Sequence, residues 1–216
     1  MRYRYSSIMV WVTEGAALVK LNKARDGITL SAEVKSELAD FLAAASRDSR
    51  IRSVALTGNG RAFSVGGSLE ARLAGQKGFI RHAGKGKRFL DRLVRELGKP
   101  TVAAVNGHAI GAGMALALAC DVVIAADDAV FYEISAGGHG LWDGAVRRLR
   151  AAEAAQLGLV SRIVRREELV DEAAAIAMRL ASTLEARLRG GGTACRSQAA
   201  RRPECALAEG GLTVAL

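Results

Sequence analysis

The stretch "TVAAVNGHAIGAGMALALACDVVIAA" (101–126) constrains the fold more than any other part of the chain. Two short apolar runs, 101–105 and 121–126, flank a glycine-rich turn and an apolar helical run. Runs of that length without alternation read as strands buried on both faces. Parallel strands need a crossover between them, usually a helix packed in the right-handed sense. Upstream, "SIMVWVTEGAALVKLN" (7–22) reads as two strands around a Glu14–Gly15 turn, and "RSVALTG" (52–58) as another buried strand. Ser31 is placed to cap a helix whose Val34, Leu38, Phe41 and Leu42 fall on one face. Residues 78–97 fit a basic amphipathic helix weakened by Gly84 and Gly86 and ended by Lys99–Pro100. Past residue 145 the pattern reads helix, short strand, helix. The order of elements predicts an α/β chain with parallel pairing.

At 216 residues the chain is long enough for one sizeable domain. No apolar run approaches the roughly 20 residues that span a bilayer, and the N-terminus lacks a signal-peptide core. A cytoplasmic protein is expected. Cys120, Cys195 and Cys205 show no C-x-x-C spacing, and Cys120, in an apolar run, reads as a buried free thiol. His82, His108 and His139 are dispersed, so no metal site is expected. A net charge of +9 points to an anionic partner, either nucleic acid, a membrane surface or a phosphorylated small molecule. From 187 onward glycine, arginine and alanine dominate and apolar periodicity vanishes, which reads as a disordered tail.

Phosphate loops fail on spacing. Between Gly78 and Gly84–Lys85 there is one residue too many for a Walker loop, and Gly111-Ala112-Gly113 runs into Met114, Ala115 and Leu116 rather than completing G-x-G-x-x-G. Two glycine-rich loops remain, "RAFSVGGSLE" (61–70) and "NGHAIGAGMAL" (106–116), each after a buried strand. Side by side, they would aim two backbone N–H groups at one point and form an oxyanion hole, the second donor reinforced by the start of a helix near Gly111. Two tight strand-to-helix turns with no ligand fit the spacing equally well.

The first loop, Ala62-Phe63-Ser64-Val65-Gly66-Gly67-Ser68-Leu69, resembles the A-F-[SC]-[AV]-G-x-[DN]-[LI] pattern of the crotonase superfamily, the enoyl-CoA hydratases and isomerases. "KPTVAAVNGHAIGAG" (99–113), followed by a helix and Cys120–Asp121, resembles the second family loop at nearly every position, and "AAQLGLVSRIV" (154–164) is similar to a later segment. The resemblance covers about residues 7–175. It implies a crotonase-like ββα spiral with helices packed around the sheets, and a C-terminal helical region shortened here. The core would span 1–175, with a shortened helix and tail over 176–216. Homotrimers or hexamers are implied if the C-terminus permits them.

The resemblance further implies an acyl-CoA thioester as substrate, with coenzyme A part of that substrate and no separate cofactor. Carried over, the hole donors are the N–H groups of Gly67 and Ala112. Ala62, Phe63, Ser64, Val65, Gly66, Ser68, Leu69 and Gly111 would line the thioester. Ser68 replaces the usual Asp or Asn. Lys23, with Lys20, Arg25 and the helix over 78–97, would hold the CoA phosphates, a solvated helix face being the plainer reading. An RNA-binding member carries a lysine-rich helix, so "RHAGKGKR" (81–88) keeps RNA in view, although nucleic acid is not the expected partner. Hydratases of the family use two glutamates. Ala115 stands at the first position, and Glu133 is favoured for the second. Asp143 in "GLWDG" (140–144) is the fallback base in a different register, and His139 is weaker. One carboxylate suffices to move an α- or γ-proton, so double-bond isomerisation is expected over two-glutamate hydration. The alternative is a shortened, catalytically impaired paralogue that binds CoA, RNA or protein. The resemblance also implies that, between Leu149 and "AAEAAQLGLV" (151–160), a family segment with a helix that helps close the acyl pocket is missing. The tail composition also fits a shifted reading frame in GC-rich DNA, for which the family's terminal helix in another frame is the check.

Overall fold

The computed structural model describes residues 4–22, 28–67, 90–134 and 146–189. Among these residues ten strands form two sheets: β1 (Ile8–Thr13), β2 (Ala16–Leu21), β3 (Ser53–Gly58), β4 (Ala62–Ser64), β5 (Thr101–Val105), β6 (His108–Ile110), β7 (Val122–Ala126), β8 (Val130–Ile134), β9 (Val146–Arg150) and β10 (Arg162–Val164). The larger sheet runs β1-β2-β3-β5-β7-β10 and the smaller β4-β6-β8-β9. From β3 to β8 successive strands alternate between the two sheets, so each turn of the chain adds one strand to each. Pairing is parallel except for the β1–β2 hairpin and the β8–β9 edge. This is the α/β crotonase-like spiral that the resemblance implies.

Strands β3, β5 and β7 are buried along their whole length, as continuous apolar runs require in a sheet covered on both faces. Helix α1 (Ala32–Arg47) starts at Ser31, whose hydroxyl accepts the Val34 N–H, and buries Val34, Leu38, Phe41 and Leu42 as its periodicity predicts. Helix α2 (Ala112–Leu118) follows β6, and α3 (Ala151–Gln156) follows β9. Helix α4 (Leu169–Arg189) runs unbroken through position 175 and seats Ala173, Ala177 and Ala181 against the larger sheet. Small residues there let the helix backbone approach closely, and the Ser53 hydroxyl donates to the Ala177 carbonyl at 2.6 Å. Cys120 is buried as expected, just past the end of α2. Burial and the neighbouring Asp121 charge push its thiol up to about 12. Of the expected helix over 78–97, only 90–97 lies among the described residues; 90–96 is helical, and Leu90, Val94 and Leu97 are buried.

Three strands differ from the expectation. β4 and β6 lie inside stretches read as loops, because three residues are too few to show a period. β9 occupies "VRRLR", which reads as the first turn of a helix. Its Leu149 pairs with Phe131 across the edge of the smaller sheet, and both are buried. That pairing overrides local propensity. The helix begins one residue later, where the Glu153 carboxylate accepts the Arg150 N–H at 2.6 Å.

The first strand is latched to α1. Glu37 accepts from the Ser6 hydroxyl at 2.7 Å and from the amides of Ser6, Ser7 and Ile8 at 3.0, 2.7 and 3.2 Å. Burial raises its carboxyl, but these four donors outweigh burial and hold it below the ordinary value. The lowered folded pKa means that the latch stabilises fully above the unfolded pKa, about 4.3 for Glu, and fades as pH falls through the folded value. Urea midpoints measured from pH 6 down to pH 3 are expected to fall less steeply in Glu37→Gln than in the parent.

Candidate active site

The strand alternation brings β4, β6 and β8 side by side and parallel, so their C-terminal ends share one edge of the smaller sheet. Ligands of parallel sheets gather at such edges. Four elements arrive there: the turn after β4, the start of α2 after β6, the end of β8, and the segment around Thr29.

The turn after β4 is held from below. The Ser64 hydroxyl donates to the Ile28 carbonyl at 2.8 Å and accepts the Gly66 N–H at 3.2 Å. Val65 N–H donates to Ile28 at 2.9 Å, and the Gly66 carbonyl accepts from Leu30 at 2.7 Å. Gly66 takes φ +86°, and a Cβ on it would sit 2.7 Å from the Ile110 carbonyl oxygen and 3.4 Å from the Ala112 nitrogen. Glycine is required on both counts. The two loops are therefore in van der Waals contact, as a shared donor site demands. Behind them, α2 leans on β4 at Gly113, where a Cβ would lie 2.4 Å from the Ser64 carbonyl oxygen.

The third strand closes the arrangement. Gly111 N–H donates to the Tyr132 carbonyl at 2.8 Å, which places Ala112 and Glu133 one residue beyond a shared hydrogen bond. Gly67 and Ala112 are both half-buried, and among the described residues neither N–H has an acceptor. Ala115 lies one turn after Ala112 and is likewise half-buried, whereas Gly113, Met114, Leu116 and Ala117 of the same helix are buried. Positions 112 and 115 therefore share the accessible face of α2. Glu133 is half-buried and shares a strand face with the buried Phe131.

Gly66, Gly67, Gly111, Ala112 and Glu133 are thus brought together. Ala62, Phe63 and Ser64 are buried within or below the turn, and Val65 is half-buried. Lys23, Ser68, Leu69, His139 and Asp143 lie outside the described residues, as does 81–88.

Two supporting residues carry roles that the sequence did not disclose. Asn106 is 7% exposed and ties the β3–β4 turn to the end of β5: its Oδ1 accepts the Gly58 N–H at 3.0 Å, and its Nδ2 donates to Gly60 and Ala62 at 2.9 and 3.3 Å. Asp121 pins β7 to β5, accepting from the Thr101 amide and hydroxyl at 2.8 and 2.7 Å. A polar residue directly after a fully apolar run was the available signal at both places. Asn106→Ala leaves a buried N–H and two carbonyls unpaired and is expected to cost about 2–3 kcal/mol of stability, measured by urea unfolding.

Comparison with known proteins gives the family and the fold. Residues 12–147 match the family described as enoyl-CoA hydratase/isomerase. The 1,2-epoxyphenylacetyl-CoA isomerase of Escherichia coli (strain K12) is 33% identical over 199 residues, spanning 81% of this chain and 76% of that protein. An enoyl-CoA hydratase from Bacillus anthracis superposes with TM-score 0.74 at 27% identity, covering 94% of this chain and 92% of that one. A monofunctional enoyl-CoA isomerase from M. smegmatis does so with TM-score 0.67 at 29% identity, covering 90% and 97%. Hydratases and isomerases both appear among the relatives.

Proposed function

Because the chain belongs to the enoyl-CoA hydratase/isomerase family of acyl-CoA enzymes, we propose that it shifts the double bond of an enoyl-CoA thioester, using the Gly67 and Ala112 N–H groups as an oxyanion hole and Glu133 as the proton carrier. The observation that supports this reading is that the segments carrying Gly67, Ala112 and Glu133 follow or end three adjacent parallel strands, with neither N–H meeting an acceptor among the described residues.

The chemistry follows from charge. Removing an α-proton from a thioester leaves negative charge on the carbonyl oxygen. Two fixed N–H donors stabilise that charge without reorganising, and loss of one such donor costs about 3–4 kcal/mol of barrier in comparable sites. Glu133 takes the proton from one carbon of the allylic system and returns it to another, so a single carboxylate completes the cycle. Hydration by two acids needs one carboxylate to take a proton from the attacking water and a second to deliver a proton to the α-carbon. Ala115, on the accessible face beside Ala112, has no proton to give. Asp143 stays the fallback base, and the acyl chain is held by the loop 62–69 with the CoA phosphates near Lys23.

Incubation with a 3-enoyl-CoA and, separately, a 2-enoyl-CoA tests the reading by chromatography of the products. Interconversion of the two, with little 3-hydroxyacyl-CoA, is the expected result. A 3-hydroxyacyl-CoA as the main product overturns the preference for isomerisation, and absence of thioester binding overturns the enzyme reading in favour of a binding paralogue.

A further inference from the structure

The smaller sheet has two faces. Ala109, Phe131 and Leu149 point into the core, and Glu133 shares their side. The opposite side carries His108 on β6, Tyr132 on β8, and Arg148 and Arg150 on β9. His108, Arg148 and Arg150 are exposed and Tyr132 is half-buried. The His108 and Tyr132 rings lie 5.9 Å apart, tilted by 40°. Arg148 is the register partner of Tyr132, and Arg150 that of Val130, so both cations border the ring pair.

We propose that this face binds a single-stranded polynucleotide, bases stacking on the His108–Tyr132 pair and phosphates meeting Arg148 and Arg150. A flat sheet face of rings interleaved with guanidinium groups supplies the two things a single strand offers, exposed base planes and a regular line of negative charge. Among the described residues the strands of this face carry no carboxylate pointing the same way, and neither arginine is in an ion pair. By contrast Arg162, Arg165 and Arg166, a short distance along the chain, are each paired with Glu or Asp. An acidic peptide would use the cations and leave the rings without a role. The +9 net charge of the chain adds attraction at long range. The thioester edge uses the other side of β8, so the two functions are separable.

The test is fluorescence anisotropy of a labelled 12-nucleotide oligouridine at several salt concentrations. Arg148→Glu/Arg150→Glu is expected to weaken binding at least tenfold and to flatten the log–log salt slope by about 1.4, the value for two single-strand phosphates no longer neutralised. His108→Ala is expected to weaken it about fivefold or more, the low end for removal of one stacking partner. Both variants keep parental enoyl-CoA turnover and circular dichroism. Arg47→Glu/Arg92→Glu, with the same change in net charge elsewhere, leaves affinity within about twofold. Should the glutamate pair fail to fold, Arg148→Gln/Arg150→Gln replaces it with the same expected direction. Equal weakening in the Arg47/Arg92 control, no binding by the parent protein, or full displacement of the oligonucleotide by free coenzyme A overturns the proposal.

Discussion

Exchange of Glu133 for glutamine is expected to lower turnover of an enoyl-CoA by about 10²–10⁴-fold, the usual contribution of a positioned acid/base group. Glutamine keeps the size and most hydrogen-bonding capacity of the side chain but cannot accept the proton. The residue sits at the end of β8, one position beyond the carbonyl that holds Gly111, so its place is set by the same hydrogen bond that sets the start of α2. Substrate affinity should change little, because the thioester oxygen is held by main-chain donors. The fall therefore belongs in kcat, with KM near its parental value. Parental turnover in Glu133→Gln together with its loss in Asp143→Asn would falsify the assignment and move the base to the fallback residue. The unfolding midpoint of Glu133→Gln is expected to stay close to the parental one, which separates lost chemistry from lost fold.

The second large effect is expected from Gly113→Ala. The added Cβ would lie 2.4 Å from the Ser64 carbonyl oxygen and 2.8 Å from the Ser64 Cβ, and neither is the end of a flexible chain. Something in the backbone has to move. Ser64 anchors the turn that presents Gly67, and Gly113 immediately follows Ala112, so the displacement lands between the two donors. Overpacking of this kind costs about 1–3 kcal/mol of stability. A displacement of about an ångström at a catalytic constellation costs about 10²-fold in rate. Thermal unfolding and kcat measured together check both, and activity is expected to suffer more than the melting temperature suggests. A fully active Gly113→Ala protein would show that the loops need no close approach, and the shared-donor arrangement would fail with it.

Much of the architecture was legible in the chain, for reasons that differ by element. Strands β3, β5 and β7 announce themselves because burial on both faces leaves no polar positions to confuse the pattern. Ser31 announces α1 because a hydroxyl before an apolar-periodic run has few other uses. The meeting of the two loops was legible from the glycines at 66 and 113, which mark where backbone must approach backbone. What was illegible is what depends on partners distant in sequence. Three-residue strands such as β4 and β6 have no period of their own and exist through their neighbours. "VRRLR" has apolar residues three apart at 146 and 149, a spacing that suits a helix, and only the Phe131–Leu149 pairing makes it a strand. Asn106 joins three carbonyl or amide groups from a turn about fifty residues earlier, which no local pattern reveals.

The N–H groups of Gly67 and Ala112, which have no acceptor among the described residues, belong to the main chain. Inheritance therefore treats them unlike any side chain. A point substitution at either position alters bulk but leaves the donor in place, unless the new residue is proline. On the proposed reading, the part of the site that tolerates the negative charge is thus preserved by whatever preserves the spiral, and the reaction is set by side chains at a few neighbouring positions such as 115 and 133. Exchange of a carboxylate for an apolar residue at such a position would change the reaction without first dismantling the site.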